Sequence, residues 1–215
     1  MKNNATELVF ILDRSGSMAG LEKDTIGGFN AMLKKQKEVE GECRITTVLF
    51  DNQISILHDR LDIQAIESLT EKDYHVGGST ALLDTIGSTI NKIGNVQKHS
   101  SHEHRASKVL FVIITDGEEN SSREFSSQRI KKMIEHQMKK YNWEFIFLGA
   151  NIDAVETSKM YGIRPDRTQN YHADARGVNL NFDVMSKTVA SFRMNDSIDE
   201  GWKDQIEKDF DERNK

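Results

Sequence analysis

Short apolar runs alternate along the chain with longer amphipathic stretches. Runs at 8–12, 43–50, 109–115 and 143–148 are rich in branched and aromatic side chains, which is typical of buried strands. Between these runs, apolar residues recur every three or four positions, as they do on the covered face of a helix. Strands that alternate with helices favour a mostly parallel sheet covered on both faces, so the pattern predicts an α/β fold.

The same pattern predicts the order of the strands. A turn at Asp51-Asn52 joins the second strand to a run at 53–58, which should return as an antiparallel edge strand. A short strand at 167–172 completes a six-stranded sheet in the doubly wound order 3-2-1-4-5-6, the middle of three layers. Helices are predicted within 21–38, from Thr80 onward, at Ile130–Met138, over 153–161 and, as a short piece, near Ile63–Ser68. A closing helix that lies on the sheet is indicated by Val178, Phe182, Met185, Val189 and Phe192.

Oxygen-bearing side chains follow two of the predicted strands. The first strand runs into Asp13, Ser15 and Ser17, the fourth ends in Asp116, and a glycine-rich turn presents Thr80. The first and fourth strands are neighbours where the winding reverses, so both carboxylates should flank one crevice. Carboxylates and hydroxyls suit a small divalent cation such as Mg²⁺. The DxSxS string alone fits an ordinary solvated turn or helix N-cap equally well.

The order Asp13-x-Ser15-x-Ser17, then Thr80, then Asp116 resembles the metal-ion-dependent adhesion site of von Willebrand factor A domains. These domains are also found as integrin I domains and in many bacterial proteins, and the resemblance covers nearly the whole chain. It implies a stand-alone, bacterial-type member in which Ser15, Ser17 and Thr80 bind Mg²⁺ directly. Asp13 and Asp116 would act largely through waters, and Mn²⁺ or Ca²⁺ are alternative ions.

The resemblance also implies a function, which is capture of a protein partner through the ion. Neutral hydroxyls quench little of the cation's charge, so an Asp or Glu carboxylate of the partner can complete its shell. The expected protein is therefore a metal-dependent binding module and not an enzyme. One alternative is a Mg²⁺- or Mn²⁺-dependent phosphoester hydrolase with Asp13 as nucleophile, although such phosphatases usually carry a second Asp where Ser15 stands. Another is a scaffold with a vestigial site.

Composition narrows the class of protein and its partners. The chain has 215 residues, 29% of them charged and 37% hydrophobic, which fits a globular domain at 1–195 with a further segment at 196–215. A net charge of −5 gives no general attraction to nucleic acid or to an anionic membrane. Neither a GxGxxG string nor a P-loop lysine occurs. A single cysteine, Cys43, and an apolar run at 8–12 too short for a signal peptide lead us to expect a cytoplasmic protein.

The pattern of residues 196–215 predicts an acidic amphipathic tail helix. Ser197 and Glu200 form a capping-box pattern at its predicted start. Its apolar stripe consists of Ile198, Trp202, Ile206 and Phe210. We expect this stripe to dock on the protein's own sheet or helices, the alternative being a partner surface that makes a homo-oligomer.

Arg14 is the one basic residue inside the first motif. It is expected either to contact an acidic group of a partner or to pair with Glu118 or Glu119, which follow the fourth strand.

Overall fold

The computed structural model describes residues 5–101 and 103–214, which form a six-stranded sheet between two layers of helices. The strands are β1 (Thr6–Asp13), β2 (Cys43–Phe50), β3 (Ile54–Asp62), β4 (Lys108–Thr115), β5 (Glu144–Gly149) and β6 (Thr168–Asn170). Their order is β3-β2-β1-β4-β5-β6, and only β3 runs antiparallel to its neighbour. The predicted fold class, strand order and antiparallel edge are confirmed.

The middle of the sheet carries the first motif. β1 pairs in parallel with β2 on one side and β4 on the other, and every residue of β1 and β4 is buried. This agrees with near-continuous apolar runs in both strands, since a parallel strand covered on both faces needs apolar side chains on each. The chain winds in opposite directions from β1 and β4, so their carboxyl ends border the crevice expected at a switch point.

The edge strand β3 is longer than predicted. It continues to Asp62 past the expected end at residue 58, because register shifts against β2 keep it paired beyond His58. The irregular stretch includes Arg60, which has a left-handed backbone (φ 51°) and whose N–H donates to the Thr46 hydroxyl at 3.2 Å. Such a local irregularity leaves no trace in apolar periodicity.

Helices cover both faces of the sheet, over two apolar clusters. The helices are α1 (Glu22–Lys37), α2 (Leu82–His99), α3 (Ser127–Tyr141), α4 (Ala154–Met160), α5 (Ala175–Asn195) and α6 (Asp204–Arg213). Helices α1 and α5 bury their apolar sides on one face, and α2 and α3 do so on the other. All five apolar positions that predicted the closing helix are buried in α5.

Two helical predictions need correction near residues 63–81. The helix after the glycine-rich turn begins at Leu82, not at Thr80. Ala81 is not helical (φ −95°, ψ 58°), because its N–H donates to the Asp51 carbonyl at 2.9 Å and holds it in the loop. Near 63–68 only Ile63–Ala65 is helical, as a single 3₁₀ turn.

The tail helix is also shorter than predicted, since α6 begins at Asp204. Asp196 ends α5 in the left-handed conformation (φ 59°), and the chain then turns as far as residue 203. Ile198 and Trp202 are buried in this turn, and the Trp202 Nε1 donates to the Asp166 carbonyl at 2.8 Å. Ile198 and Trp202 thus join the apolar core beside α5 from a turn, which explains why the capping-box pattern starts no helix.

The apolar stripe of the tail lies against the rest of the same chain. Ile206 of α6 is buried in the core cluster beneath α1 and α5, and the Phe210 ring stacks on His172 with centroids 4.8 Å apart. Across residues 5–101 and 103–214, no helix is both long enough and apolar enough to cross a membrane.

Candidate metal centre

Asp13 ends β1 and is held rigidly by its neighbours. Its side chain is 2% exposed. Oδ1 accepts from the Ser15 N–H at 2.7 Å, and Oδ2 accepts from the Thr115 hydroxyl at 2.6 Å. The Tyr74 hydroxyl donates to the Asp13 carbonyl from a different loop. Both carboxylate oxygens therefore already take part in hydrogen bonds that fix the start of the turn.

Asp116 follows β4 and faces the same turn. The Ser17 hydroxyl donates to its Oδ1 at 2.6 Å, and the Ser15 and Ser17 hydroxyls lie 3.1 Å apart. Asn151 donates from its side chain to the Asp116 carbonyl at 3.2 Å. The second carboxylate oxygen, Oδ2, is buried and has no hydrogen-bond partner among the described residues. A buried carboxylate oxygen without a donor needs an explanation, and an ion that completes the site would supply one.

Backbone hydrogen bonds join the glycine-rich turn to the first motif. The Gly16 N–H donates to the Gly78 carbonyl at 3.1 Å, and the Gly77 N–H donates to the Arg14 carbonyl at 2.9 Å. Gly78 has a φ of +75°, and a Cβ there would lie 2.3 Å from the Asn52 side chain, so only glycine fits. The two loops are therefore held as one unit.

The Thr80 hydroxyl lies near the Ser17 hydroxyl, on the side of the centre formed by Gly117. A Cβ on Gly117 would lie 3.2 Å from the Ser17 hydroxyl and 3.6 Å from the Thr80 hydroxyl. Both hydroxyls thus face the same small gap beside Asp116. The structure brings together Asp13, Ser15, Ser17, Thr80 and Asp116, which is the full predicted set.

The loop after β4 is anchored to the start of α2. The Thr80 N–H donates to the Asn120 side chain at 2.9 Å, and the Leu83 N–H donates to the Glu119 carboxylate at 2.8 Å. Glu119 also accepts from the backbone of Ser121 and Ser122 at 2.9 and 2.7 Å. Glu119 is thus a structural residue of this loop, while Glu118 is exposed.

Arg14 does not pair with Glu118 or Glu119. Its Nε lies 3.1 Å from the Asp51 carboxylate, and both side chains are largely buried. The reason is that Arg14 leaves the turn toward β2, where its N–H donates to the Phe50 carbonyl at 2.8 Å. Arg14 is therefore paired with Asp51 and forms no ion pair with Asp13 or Asp116.

Burial without a counter-ion raises the pKa of both central carboxyls. Desolvation raises the pKa of Asp116 to about 6, with a further increase from the charge of Asp13 and an opposing effect of the Ser17 hydrogen bond. Desolvation also raises the pKa of Asp13. Neither acid forms an ion pair with a lysine, arginine or histidine of the described residues. Two adjacent buried carboxylates of this kind favour an added cation.

Several residues that hold the central side chains in place were not predicted from the sequence. Thr115, Tyr74 and Asn151 hold Asp13 or Asp116, and Asn120 holds Thr80. Thr115 directly precedes Asp116 at a strand end, so its position gave a signal. Tyr74 and Asn151 lie in loops far from the motifs in sequence, where neither periodicity nor spacing points to them.

The donor set is poor in charged groups. Among the residues that the structure describes, no three His, Cys, Asp or Glu side chains are grouped so that they could hold a metal ion. The centre instead combines two carboxylates with three hydroxyls. Hard oxygen donors of this kind suit Mg²⁺ or Mn²⁺ and are unsuited to a structural zinc site.

Known proteins support the fold of this chain at low sequence identity. No protein-family model matches it, and no curated protein matches it. Among solved structures, 206 chains match. One is a von Willebrand factor type A protein from Catenulispora acidiphila, with 13% identity, a TM-score of 0.57, and coverage of 86% of this chain and 42% of that one. The chain therefore has a von Willebrand factor A-like fold.

Two further structures show the same likeness. The PilB minor pilin from Streptococcus sanguinis has 12% identity and a TM-score of 0.58, covering 88% of this chain and 62% of its own. The manganese-loaded TRAP protein of Plasmodium vivax has 16% identity and a TM-score of 0.56, and the match covers 85% of this chain and 74% of the TRAP chain. This chain thus spans less than two thirds of the pilin and less than half of the Catenulispora protein.

Proposed function

We propose that this protein is a binding module that captures an acidic side chain of a protein partner through a divalent cation. The observation that carries the proposal is the Asp116 Oδ2 atom, which is buried and lacks a hydrogen-bond partner among the described residues. The residues that would hold the ion are Asp13, Ser15, Ser17, Thr80 and Asp116. The manganese-loaded Plasmodium protein with the same fold supports a divalent metal, with Mg²⁺ or Mn²⁺ as the proposed ion.

The charge balance of the centre supports partner capture. The two carboxylates would balance the overall charge of one divalent ion through waters, whereas the three hydroxyls proposed as its direct ligands are neutral and would leave it electrophilic. When bound, the ion supplies an exchangeable position that a partner's Asp or Glu carboxylate can occupy. Ser17 and Glu118 are both exposed at the rim, so a partner can approach this edge of the sheet.

The surroundings of Asp13 speak against the hydrolase alternative, and we propose that the protein is not an enzyme. A nucleophilic carboxylate needs an oxygen that can reach a substrate. Asp13 is 2% exposed, and its two oxygens accept hydrogen bonds from Ser15 and Thr115 at 2.7 and 2.6 Å. A two-metal hydrolase would also need further carboxylates close to the ions.

Matched variants at Thr80 test the proposal. Thr80→Val keeps the shape of a buried side chain but loses the hydroxyl, whereas Thr80→Ser keeps the hydroxyl. Immobilised wild-type protein and both variants are incubated with cell lysate in Mg²⁺ or in chelator. We expect wild type and Thr80→Ser to retain a specific protein only in Mg²⁺, and Thr80→Val to retain it in neither condition.

The role of the partner's acid is tested in the same format. Amidation of the lysate's carboxyl groups before incubation should abolish the Mg²⁺-dependent capture. Capture that persists in chelator, or that Thr80→Val retains in full, would refute metal-mediated binding. Capture that needs Mg²⁺ but survives amidation would refute the acidic side chain as the ligand.

A further inference from the structure

A cavity of about 390 Å³ lies between α2 and α3, far from the candidate metal centre. Gly94 and Gln97 of α2 and Gln137 of α3 line it, together with Ser107 just before β4 and Trp143 just before β5. It therefore opens at the amino ends of the strands, whereas the metal centre lies at their carboxyl ends. An eight-residue strand separates the two edges by about 25 Å. The volume is in the range of small-molecule sites.

Two glutamines that line the cavity each carry an amide oxygen without a donor in the described part of the chain. Gln97 is only 9% exposed, and its Nε2 donates to the Glu7 carboxylate at 3.4 Å. Its Oε1, like the Oε1 of Gln137, is buried without a hydrogen-bond partner among the described residues. A buried acceptor left without a donor is unfavourable, so a ligand whose N–H groups reach these oxygens would be stabilised here.

The charge of the cavity is positive in an acidic protein. Lys98 and Arg105 line it, and none of the described lining residues is an aspartate or glutamate. The Arg105 guanidinium donates to the Ser100 carbonyl at 3.2 Å, which holds it near the end of α2. Because the whole chain carries a net charge of −5, this local balance favours an anionic ligand over a cationic one.

Flat apolar surfaces complete the wall. Trp143 lines the cavity and is fixed by stacking on Phe111, with ring centroids 5.5 Å apart and an interplanar angle of 17°. Tyr141 and Val109 lie on the same wall. Aromatic surfaces suit a flat heterocycle, and a glutamine amide pairs with the N6 amino group and N7 of adenine.

We propose that this cavity binds a purine nucleotide of the adenine type. The Gln97 and Gln137 amides would pair with the ring's donors and acceptors, and Lys98 and Arg105 would face its phosphate. The recognition uses side chains of α2 and α3 and needs neither a glycine-rich phosphate loop nor the metal centre. It is therefore independent of the function proposed above.

Calorimetric titration of the full chain at low ionic strength tests this proposal. AMP is the probe, with adenosine and inorganic phosphate as partial ligands. We expect AMP to bind at one site, and adenosine and phosphate to bind at least about tenfold more weakly, because each lacks half of the recognised groups. Gln137→Leu should weaken AMP binding about tenfold. Far-ultraviolet circular dichroism verifies that each variant is folded.

Gly94 offers a matched pair of variants. A Cβ at Gly94 would lie 3.6 Å from the Gln137 Nε2, an ordinary contact, so Gly94→Ala should stay folded and weaken AMP binding much less than a larger side chain there. Gly94→Leu extends further into the cavity and should abolish binding. Thr80→Val, changed only at the metal centre, should bind AMP normally. The absence of AMP binding, phosphate binding as tight as AMP, or unchanged binding by Gly94→Leu would overturn the proposal.

Discussion

Strand β1 carries a buried carboxylate near each end, and within residues 5–101 and 103–214 only one of the two is paired with a cation. Glu7 is fully buried, and the Arg60 guanidinium contacts its Oε2 at 2.9 Å through both Nε and Nη2. Asp13, at the other end, accepts from a hydroxyl and a backbone N–H, has no cationic partner in the described part of the chain, and lies beside a second acid, Asp116. The same strand therefore holds one compensated and one uncompensated acid, which supports an added cation at the second.

The largest change in stability is expected from removing Arg60, the cation paired with Glu7. Arg60→Met should lower the free energy of unfolding by about 3 kcal/mol, because it leaves the Glu7 charge buried without its partner. Urea denaturation at pH 7 measures this loss. Glu7→Gln combined with Arg60→Met should recover much of it, since the amide carries no charge. A double variant as unstable as the single one would contradict the charge argument.

The same variant predicts a pH dependence. Burial raises the pKa of Glu7 above 4.5, and Arg60 partly opposes this increase. Without Arg60 the folded-state pKa rises further, so the folded variant takes up a proton before the unfolded chain does as the pH falls. The deficit of Arg60→Met should therefore be full at pH 7 and shrink as the pH approaches 4.5. An equal deficit at both pH values, measured by urea denaturation, would contradict this assignment.

A smaller change in stability, of opposite sign, is expected at Asp116, beside the carboxyl end of β1. In chelator, Asp116→Asn should raise the free energy of unfolding by about 1 kcal/mol, since it removes a buried charge that no cation of the described residues balances. Asp13→Asn is the matched control and should be destabilising. Its amide cannot accept from both Ser15 and Thr115 as the carboxylate does. If both variants lost stability equally, the contrast between the two acids would be wrong.

The smallest effect is expected at Arg14. Arg14 pairs with Asp51 at 3.1 Å, and the Asp51 side chain keeps 15% of its surface exposed, so it can be hydrated when it loses its partner, whereas the Glu7 side chain cannot. Arg14→Gln should therefore cost about 1 kcal/mol or less. The affinity of the Arg14→Gln variant for Mg²⁺, measured by calorimetry, should equal that of the wild-type protein. A large gain in affinity on losing this positive charge would mean that Arg14 acts on the metal centre after all.

Apolar patterning was sufficient to predict the sheet but not its irregular parts. The runs that became β1, β2, β4 and β5 are buried on both faces, and such runs are visible in the sequence. The extension of β3 through Arg60 depends on a register shift, and the turn that buries Trp202 depends on tertiary contacts. Neither feature has a local period that a sequence could reveal.

The candidate site divides in the same way. Its five central residues follow strand ends or open a glycine-rich turn, positions that the sequence marks clearly. The partner of Arg14 could not be predicted, because Asp51 lies beside it only after β1 and β2 pair in parallel. Likewise Tyr74 and Asn151 support Asp13 and Asp116 from loops that folding alone brings close.

Calorimetric titration with Mn²⁺ tests the central claim most directly, with wild type and Asp116→Asn compared at pH 7. We expect wild type to bind one ion, and binding at 100 times the dissociation constant should raise its free energy of unfolding by about 2.7 kcal/mol. Asp116→Asn should bind at least about tenfold more weakly, since it loses the orphaned carboxylate oxygen. No binding to wild type, or equal affinity for both proteins, would contradict a metal centre at this edge of the sheet.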